Sequence, residues 1–315
     1  MIRMSSPVAP SPDRKFLMKK KTGDRLFSLA LLLPTILMTI IFILIPVVDS
    51  VIKSFLDYKV KNIISGVPGK WNDFANYIRL FQNSKLVPSI FITFEFVIIV
   101  VAMQFVFGMA LALILNSNMK FARFFRSIMM MPWVVPTIIS ALIWMWIYQP
   151  QYGLLKYLVS FFSMGHISEF AILNHPSLAL FGIAIAALWK QIPLTTLLLL
   201  AGLQNLPDDM LEAATVDGAN GVARFFRIVL PYMKSVIKVA MSMAIIENFK
   251  QFPLVWTMTG GGPNNSTTTL AVLSYREAFV SNNLGSGAAV TTVWMLLMMV
   301  VVFVYNHLMR TEVMD

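Results

Sequence analysis

The feature that most constrains this chain is a series of long apolar runs. The first, near residues 26–49, includes 23 consecutive positions without a charged side chain. A helix rises about 1.5 Å per residue, so a run of this length is enough to cross the hydrocarbon core of a bilayer. Similar runs lie near residues 89–115, 127–149, 178–202, 236–257 and 287–308. The sequence therefore predicts an all-α membrane protein with six transmembrane helices.

The composition also indicates that lipid is the main solvent of this chain. Hydrophobic residues make up 57% of it and charged residues 13%, and the mean hydropathy is +0.73. A water-soluble globule of 315 residues would need more polar surface. The sequence has no cysteine, which excludes disulfide bonds, thiolate metal sites and cysteine nucleophiles. Much of the net charge of +10 lies beside the apolar runs, so membrane lipid rather than nucleic acid is the expected partner.

The basic residues predict which side of the membrane each segment faces. Six spans place both termini on one side, and the segments on that side carry 14 Lys and Arg residues against 8 on the other. Cytoplasmic segments are usually the richer in Lys and Arg, which predicts cytoplasmic termini. The first external loop, residues 53–88, is an exception to this trend, because it holds six of the eight.

The same patterns divide the chain into three segments. Residues 1–25 combine Ser and Pro with seven basic residues, which predicts a flexible basic cytoplasmic tail. Residues 26–310 form the predicted transmembrane domain. Its first span is expected to remain in the protein, because it is longer than a signal-peptide core and no small-residue cleavage site follows it. Residues 311–315 are predicted to be a second cytoplasmic tail.

The loop at residues 203–235 is a polar stretch between the fourth and fifth spans. Pro207 followed by acidic residues favours a helix start, since acidic side chains suit the positive end of a helix. Gly218 and Gly221 allow a sharp turn before helical spacing resumes, and Pro231 interrupts the pattern before the fifth span. The pattern fits two interpretations: an amphipathic connector at the membrane surface, or a docking helix for a cytoplasmic partner.

The spacing within this loop resembles a known signature, carried by Glu212, Ala213, Ala214, Gly218, Ile228, Leu230 and Pro231. These positions resemble the EAA motif in membrane subunits of binding-protein-dependent ABC importers. The segments 200–207, 217–219, 259–263 and 267–270 are similar to the carbohydrate branch of that family. The resemblance covers roughly residues 25–310, and the chain lacks the large external insert of the maltose-importer subunit.

The resemblance implies a fold, a location and a set of partners. The expected fold is that of a type I ABC importer permease with a cytoplasmic coupling helix, in the plasma (inner) membrane of a bacterium. The expected partners are a second, different permease, two ATP-binding subunits and an external solute-binding protein that delivers a sugar or oligosaccharide. The EAA helix of the family sits in a cleft of the ATPase, so the expected coupling contacts are Glu212, Ala213, Ala214 and Gly218.

No catalysis and no bound cofactor are expected in this chain. It contains no glycine-rich loop of the GxxxxGK[ST] form, so ATP and Mg²⁺ are expected on the partner ATPase subunits. His166 and His175 lie nine residues apart without clustered carboxylates, which argues against a metal site.

Charge within apolar runs is costly and usually faces a cavity or a partner, and four ionisable residues stand out for this reason: Glu95, Lys190, Glu247 and Lys250. Glu95 is interpreted as a protonated carboxyl or a member of an interhelical hydrogen bond. Glu247 and Lys250 are three residues apart on one helical face, which fits either an internal ion pair or part of a binding site.

Amides and aromatic rings near these residues suit the hydroxyl groups and C–H faces of sugars. The candidate substrate-binding residues are Lys190, Gln191, Leu194, Glu247, Asn248, Gln251 and Phe252. For Gln191, Leu194, Glu247 and Asn248, substrate contact is implied by the resemblance to the maltose-importer subunit, with positions matched by distance from the 259–263 segment.

Two departures from that subunit argue against maltose as the cargo. Ala244 stands where the subunit has a hydroxyl residue, and Glu247 stands where it has an aromatic one. Lys190 and Lys250 favour a further alternative, an acidic sugar such as a uronate oligosaccharide, whose carboxylates would compensate buried ammonium groups. Other hypotheses are a permease for another solute, such as glycerol phosphate, and an intramembrane enzyme for lipid-linked sugars with Glu95 and Glu247 as acid and base.

Overall fold

The computed structural model describes residues 14–82, 84–117, 120–163 and 170–309. The chain separates into an N-terminal unit that ends at Ile52 and a main unit that begins at Lys53. The N-terminal unit is helical. It consists of α1 (Arg14–Thr39), a π-helical turn (Ile40–Leu44) and most of α2 (Ile45–Ser54).

The start of the first helix differs from the prediction. A flexible tail was expected as far as residue 25, but α1 begins at Arg14. Lys, Arg and Met are good helix formers, so a helix nucleated in the adjacent apolar segment can extend into them at little cost. Residues 1–13 of the predicted tail, and the predicted tail at 311–315, lie outside the described residues. From Phe27 to Val48 the apolar side chains of this unit are exposed, as expected for a helix solvated by lipid.

The main unit contains one small sheet and a series of helices. On the side predicted to be external, β1 (Leu56–Asp57) pairs antiparallel with β2 (Lys70–Trp71), and two short helices, α3 (Val60–Ser65) and α4 (Ala75–Gln82), complete the loop. The remaining helices are α5 (Leu86–Asn116), α6 (Ala122–Met129), α7 (Met131–Val134), α8 (Thr137–Ile147), α9 (Leu154–Phe162), α10 (Ala179–Gln204), α11 (Asp208–Val216), α12 (Gly221–Arg224), α13 (Leu230–Tyr232), α14 (Lys234–Phe249), α15 (Pro253–Thr259), α16 (Leu270–Tyr275) and α17 (Leu284–Leu308).

Four helical segments of the described chain are long and apolar enough to cross a membrane: Phe27–Ser54, α5, α10 and α17. Two bent pairs also have suitable length and composition. The first joins Ala122–Val134 to α8 at 96°, and the second joins Gly221–Tyr232 to α14 at 73°. The described helices thus provide six spans when each bent pair counts as one.

The third apolar run, predicted as one helix over 127–149, is broken in the structure. Val135 is extended, with φ −62° and ψ 131°, and Pro136 follows it. A proline disfavours the helical conformation for the residue before it and lacks the N–H that would continue the ladder. The bend between α7 and α8 therefore lies where the local sequence weakens the helix.

The fifth apolar run, predicted over 236–257, is also interrupted. Helix α14 ends at Phe249 and α15 begins at Pro253, which occupies a first-turn position where its missing N–H costs nothing. At the other end of α14, Pro231 lies inside α13 and does not end it. The π-helical turn Phe225–Val229 precedes it.

The core is built on the packing of α5 against α10. Gly108 of α5 permits their close approach, because a Cβ at this position would lie 3.2 Å from Thr195 Cγ2. Two apolar clusters flank this contact, one around Phe96 and Ile183 and the other around Leu199 and Met233. This packing brings the middles of α5 and α10 together with the last turn of α14.

Candidate functional site

A cavity of about 380 Å³ lies among helices of the predicted second, third, fourth and fifth spans. Its lining includes the predicted substrate residues Lys190, Gln191, Leu194, Glu247 and Gln251. The lining residues that the sequence interpretation missed are Gln104, Trp133, Thr137, Thr195, Leu198, Ala240, Met243 and Ala244. The cavity therefore combines apolar walls with amide, hydroxyl and charged groups.

Three carboxamides from three helices form a closed ring at the edge of the cavity. Gln104 of α5 donates from Nε2 to Gln191 Oε1 at 3.2 Å, and Gln191 of α10 donates from Nε2 to Asn248 Oδ1 at 3.2 Å. Asn248 of α14 donates from Nδ2 to Gln104 Oε1 at 3.1 Å and to Gln191 Oε1 at 3.0 Å. We call these residues the amide ring. It links α5, α10 and α14 by direct hydrogen bonds.

The members of the amide ring differ in their access to the cavity. Gln104 and Asn248 are 1% and 2% exposed, whereas Gln191 is half-buried. Asn248, predicted to contact substrate, does not line the cavity in this structure. Gln104 carries no charge and is the only member absent from the predicted set. Its position within an apolar run was the available signal, because a buried amide in hydrocarbon needs hydrogen-bond partners.

Lys190 connects α10 to the bend in the third span. Its Nζ donates to Trp133 O at 3.2 Å and to Val135 O, two carbonyls that the break at Pro136 leaves without helical partners. Within the described part of the chain Lys190 forms no salt bridge. The amino group of Lys190 therefore lies in the wall of the cavity with carbonyl oxygens as its partners.

Glu247 and Lys250 form an ion pair with 2.7 Å between Oε1 and Nζ, and both side chains are about half exposed. This is the internal pair that the sequence interpretation left as one of two alternatives. Glu247 lines the cavity, but its charge is balanced within α14, since Lys250 is its neighbour at i+3.

Phe252 and Glu95 lie apart from the cavity lining. Phe252 stacks on Trp256 with 5.8 Å between ring centroids and also contacts Tyr275 at 5.0 Å. Glu95 is exposed on α5. The structure thus gives Phe252 a packing role, and Glu95 is not part of the cavity where Glu247 lies.

The connecting segment between α10 and α14 forms the predicted pair of short helices. Helix α11 begins after Pro207, which takes the N-cap rather than the first helical position, and has Asp208 and Asp209 in its first turn. The turn after α11 is closed by Ala219 N, which donates to Ala214 O at 2.9 Å. Gly218 adopts φ +80° there, a left-handed conformation that glycine accepts without cost.

Two side-chain hydrogen bonds hold the second short helix against the first. Asn220 caps α12 by accepting from Ala223 N at 2.8 Å, as expected for an Asn N-cap. Arg224 Nη1 donates to Thr215 Oγ1 at 2.9 Å. The segment is therefore a defined structural unit.

The outer surface of this unit is partly apolar. Glu212, Ala213 and Gly218 are exposed, whereas Ala214 is buried. Four large apolar side chains are also exposed here: Met210, Val216, Val222 and Phe226. Exposed apolar groups beside a carboxylate indicate a contact surface.

Comparison with known proteins identifies the family. The family described as binding-protein-dependent transport system inner membrane component matches residues 104–311, more than half of the chain. The chain belongs to this family. This permease is 33% identical to the trehalose/maltose transport system permease protein MalF of Thermococcus litoralis over 293 residues, 92% of this chain and 97% of the relative.

Other relatives of the permease carry different cargo names. It is 33% identical over 290 residues to the sulfoquinovosyl glycerol transport system permease protein SmoG of Agrobacterium fabrum, covering 92% of both chains. It is 31% identical over 267 residues to the sn-glycerol-3-phosphate transport system permease protein UgpA of Yersinia pestis, covering 84% of this chain and 88% of the relative. These relatives are transport permeases, so the chain is a transport subunit and not an enzyme.

A solved structure confirms the fold. A chain in the crystal structure of a bacterial ABC transporter involved in the import of the acidic polysaccharide alginate superposes with a TM-score of 0.78, at 20% identity, over 95% of this chain and 99% of that chain. The predicted all-α ABC importer permease fold is therefore confirmed.

Proposed function

We propose that this permease is one half of the translocation path of an ABC importer for a small anionic sugar or glycoside. The observation that carries the proposal is Lys190, an ammonium group in the cavity wall whose hydrogen bonds go to neutral carbonyls. An unpaired charge at bilayer depth is costly, and an anionic cargo would offset that cost. The anionic group can be a carboxylate, a sulfonate or a phosphate.

Two features of the cavity support this choice. Lys250, the other basic candidate, is already paired with Glu247, so the local excess of positive charge belongs to Lys190. Two relatives also bear the names of anionic polyol derivatives, sulfoquinovosyl glycerol and sn-glycerol-3-phosphate. The name of a third relative favours a second candidate, a neutral disaccharide such as trehalose.

The proposed assembly contains a second permease, two ATP-binding subunits that hold ATP and Mg²⁺, and an external solute-binding protein. Both termini are proposed to be cytoplasmic, in a bacterial inner membrane. Glu212, Ala213, Ala214 and Gly218 are proposed as the coupling contacts with an ATPase subunit. The exposed apolar side chains around them support this, since a helix held by a moving domain can transmit its motion as a rigid body.

The test compares uptake of anionic and neutral solutes by the complete importer in proteoliposomes. The solutes are glycerol 3-phosphate, sulfoquinovosyl glycerol, a uronate trisaccharide, maltose and trehalose, each with the solute-binding protein present. Lys190→Gln keeps N–H donors for the carbonyls of the bend but removes the charge. We expect it to lower uptake of the transported anion about tenfold, the effect of losing one charge-assisted contact.

Lys250→Gln is the matched control, because it removes a charge that Glu247 already balances. We expect its ratio of anion to neutral-sugar uptake to stay within about twofold of the unmodified importer. Equal losses of anionic and neutral uptake in Lys190→Gln, or uptake of neutral sugars alone by the unmodified importer, would show that the cargo is not selected by this charge.

A further inference from the structure

The direction of every hydrogen bond in the amide ring is set by one backbone carbonyl. Ala244 O can only accept, so the side-chain atom of Asn248 that lies 2.8 Å from it must be Nδ2. Nδ2 has two N–H groups, and one points to Ala244 O, so the ring oxygens of Gln191 and Gln104, at 3.0 and 3.1 Å from Nδ2, share the other. The two remaining contacts follow, each from a glutamine Nε2 to the oxygen of the next member.

This arrangement decides which hydrogen-bonding groups Gln191 can offer to the cavity. A carboxamide has two N–H donors and an oxygen that accepts two hydrogen bonds. Gln191 Oε1 accepts one N–H of Gln104 and shares one N–H of Asn248 with Gln104 Oε1, so both of its acceptor directions face nitrogens of the ring. Gln191 Nε2 uses one of its two donors on Asn248. One N–H of Gln191 is left for the cavity, and no acceptor.

We propose that Gln104 is a positioning residue that makes Gln191 a pure hydrogen-bond donor toward the cargo. Gln104 lines the cavity but is only 1% exposed, and its N–H occupies one acceptor site of Gln191 Oε1. The free N–H of Gln191 then selects an acceptor oxygen, such as a sugar hydroxyl or the oxygen of an acidic group. Lys190, the preceding residue, also presents only donors. The inference rests on the proposed function, since a cargo must enter this cavity.

The test is a double-variant cycle on uptake per assembled importer. Gln104→Met and Gln191→Met replace each amide by an apolar side chain of similar length. Uptake of glycerol 3-phosphate, sulfoquinovosyl glycerol and trehalose is measured, and the solute that the unmodified importer takes up fastest is used for the cycle. We expect each single variant to lower its uptake about tenfold, and the double variant to match Gln191→Met within about twofold, because the two residues act as one unit.

Two further variants separate positioning from a merely structural role. Gln104→Glu keeps the volume and the acceptor for Asn248 but has no N–H for Gln191. Its uptake should therefore fall as far as that of Gln104→Met. Gln104→Glu takes the place of Gln104→Met in the cycle if the latter does not assemble. Thr196→Val is the control, because Thr196 is equally buried but its hydroxyl donates to Ile192 O of its own helix. Its uptake should stay within about twofold of the unmodified importer.

Two outcomes would overturn the inference: multiplied losses in the double variant, or full uptake by Gln104→Glu. Multiplied losses would mean that Gln104 acts independently of Gln191, as a packing residue does. Failure of the proposed function gives a different result, because the unmodified importer would then show no uptake of any of these solutes that depends on the binding protein.

Discussion

At the scale of single residues, the cavity shows that uncharged amides inside apolar runs are as informative as charges. The sequence interpretation selected Lys190 and Gln191 but passed over Gln104, which the structure places in the same hydrogen-bonded ring. In hydrocarbon an unpaired amide costs several kcal/mol, so it must have a partner. Which partner it has depends on helix packing, and sequence spacing does not encode that.

A single glycine makes the contact between α17 and the turn after α16 possible. A Cβ at Gly287 would lie 2.6 Å from Ala278 Cβ and 2.9 Å from two of its backbone atoms. Gly287→Ala is expected to lower the free energy of unfolding by about 1–3 kcal/mol through overpacking. Thermal unfolding of the purified permease measures this. Gly221→Ala, where nothing lies within 4 Å of the added carbon, serves as the control, and equal unfolding temperatures for the two variants would contradict the prediction.

At the scale of elements, prolines within the long apolar runs divide them in two different ways. Pro136 produces an open bend whose free carbonyls accept from Lys190, whereas Pro253 simply starts a new helix. Hydropathy averages over about 20 residues and reads each run as one span. The bends become visible only when the proline is considered together with the conformation that it imposes on the residue before it.

The turn between α11 and α12 gives a prediction about coupling. Gly218 has φ +80° and open space around it, so a substitution here acts through the backbone and not through a clash. Gly218→Val and Gly218→Pro should leave assembly partly intact but uncouple ATP hydrolysis from uptake. The left-handed conformation costs a residue with a Cβ about 1–2 kcal/mol, and the cost is higher for a β-branched residue. Proline cannot adopt this conformation at all.

The ratio of ATP hydrolysed to solute transported in proteoliposomes measures this effect. Gly218→Asn is the matched variant, since Asn tolerates the left-handed region better than other non-glycine residues, and it should keep a ratio near that of the unmodified importer. Undiminished coupled transport by Gly218→Val would show that the turn has no mechanical role.

At the scale of the whole molecule, the six spans have a predicted orientation that labelling can test directly. The chain has no cysteine, so single cysteines report their own position. Ile64→Cys lies in the first external loop and Val216→Cys in the connecting segment, at residues that are 82% and 88% exposed. A membrane-impermeant maleimide should label Ile64→Cys in intact spheroplasts.

The same reagent should label Val216→Cys only after the membrane is permeabilised, because charged reagents do not cross the hydrocarbon core. The cysteine-free permease is the control for background labelling. Rapid labelling of Val216→Cys in intact spheroplasts would reverse the proposed orientation of both termini.

The sequence alone was sufficient to predict the fold class and the family. Both depend on local signals: apolar runs of spanning length, and the motif from Glu212 to Pro231. The predicted family and the permease fold are confirmed. Helix α1 begins at Arg14, within the segment predicted as a basic tail, and the Lys, Arg and Met residues there are good helix formers.

The tertiary structure decided how the cavity is built. The amide ring joins residues that are 57 to 144 positions apart, and the carbonyls that hold Lys190 lie 55 and 57 positions before it. A sequence shows that such polar groups lie in apolar runs and need partners. The packing of α5, α10 and α14 determines which of these groups meet. Hydrogen bonds require contact within about 3 Å, and such contacts between distant segments arise only in the folded bundle.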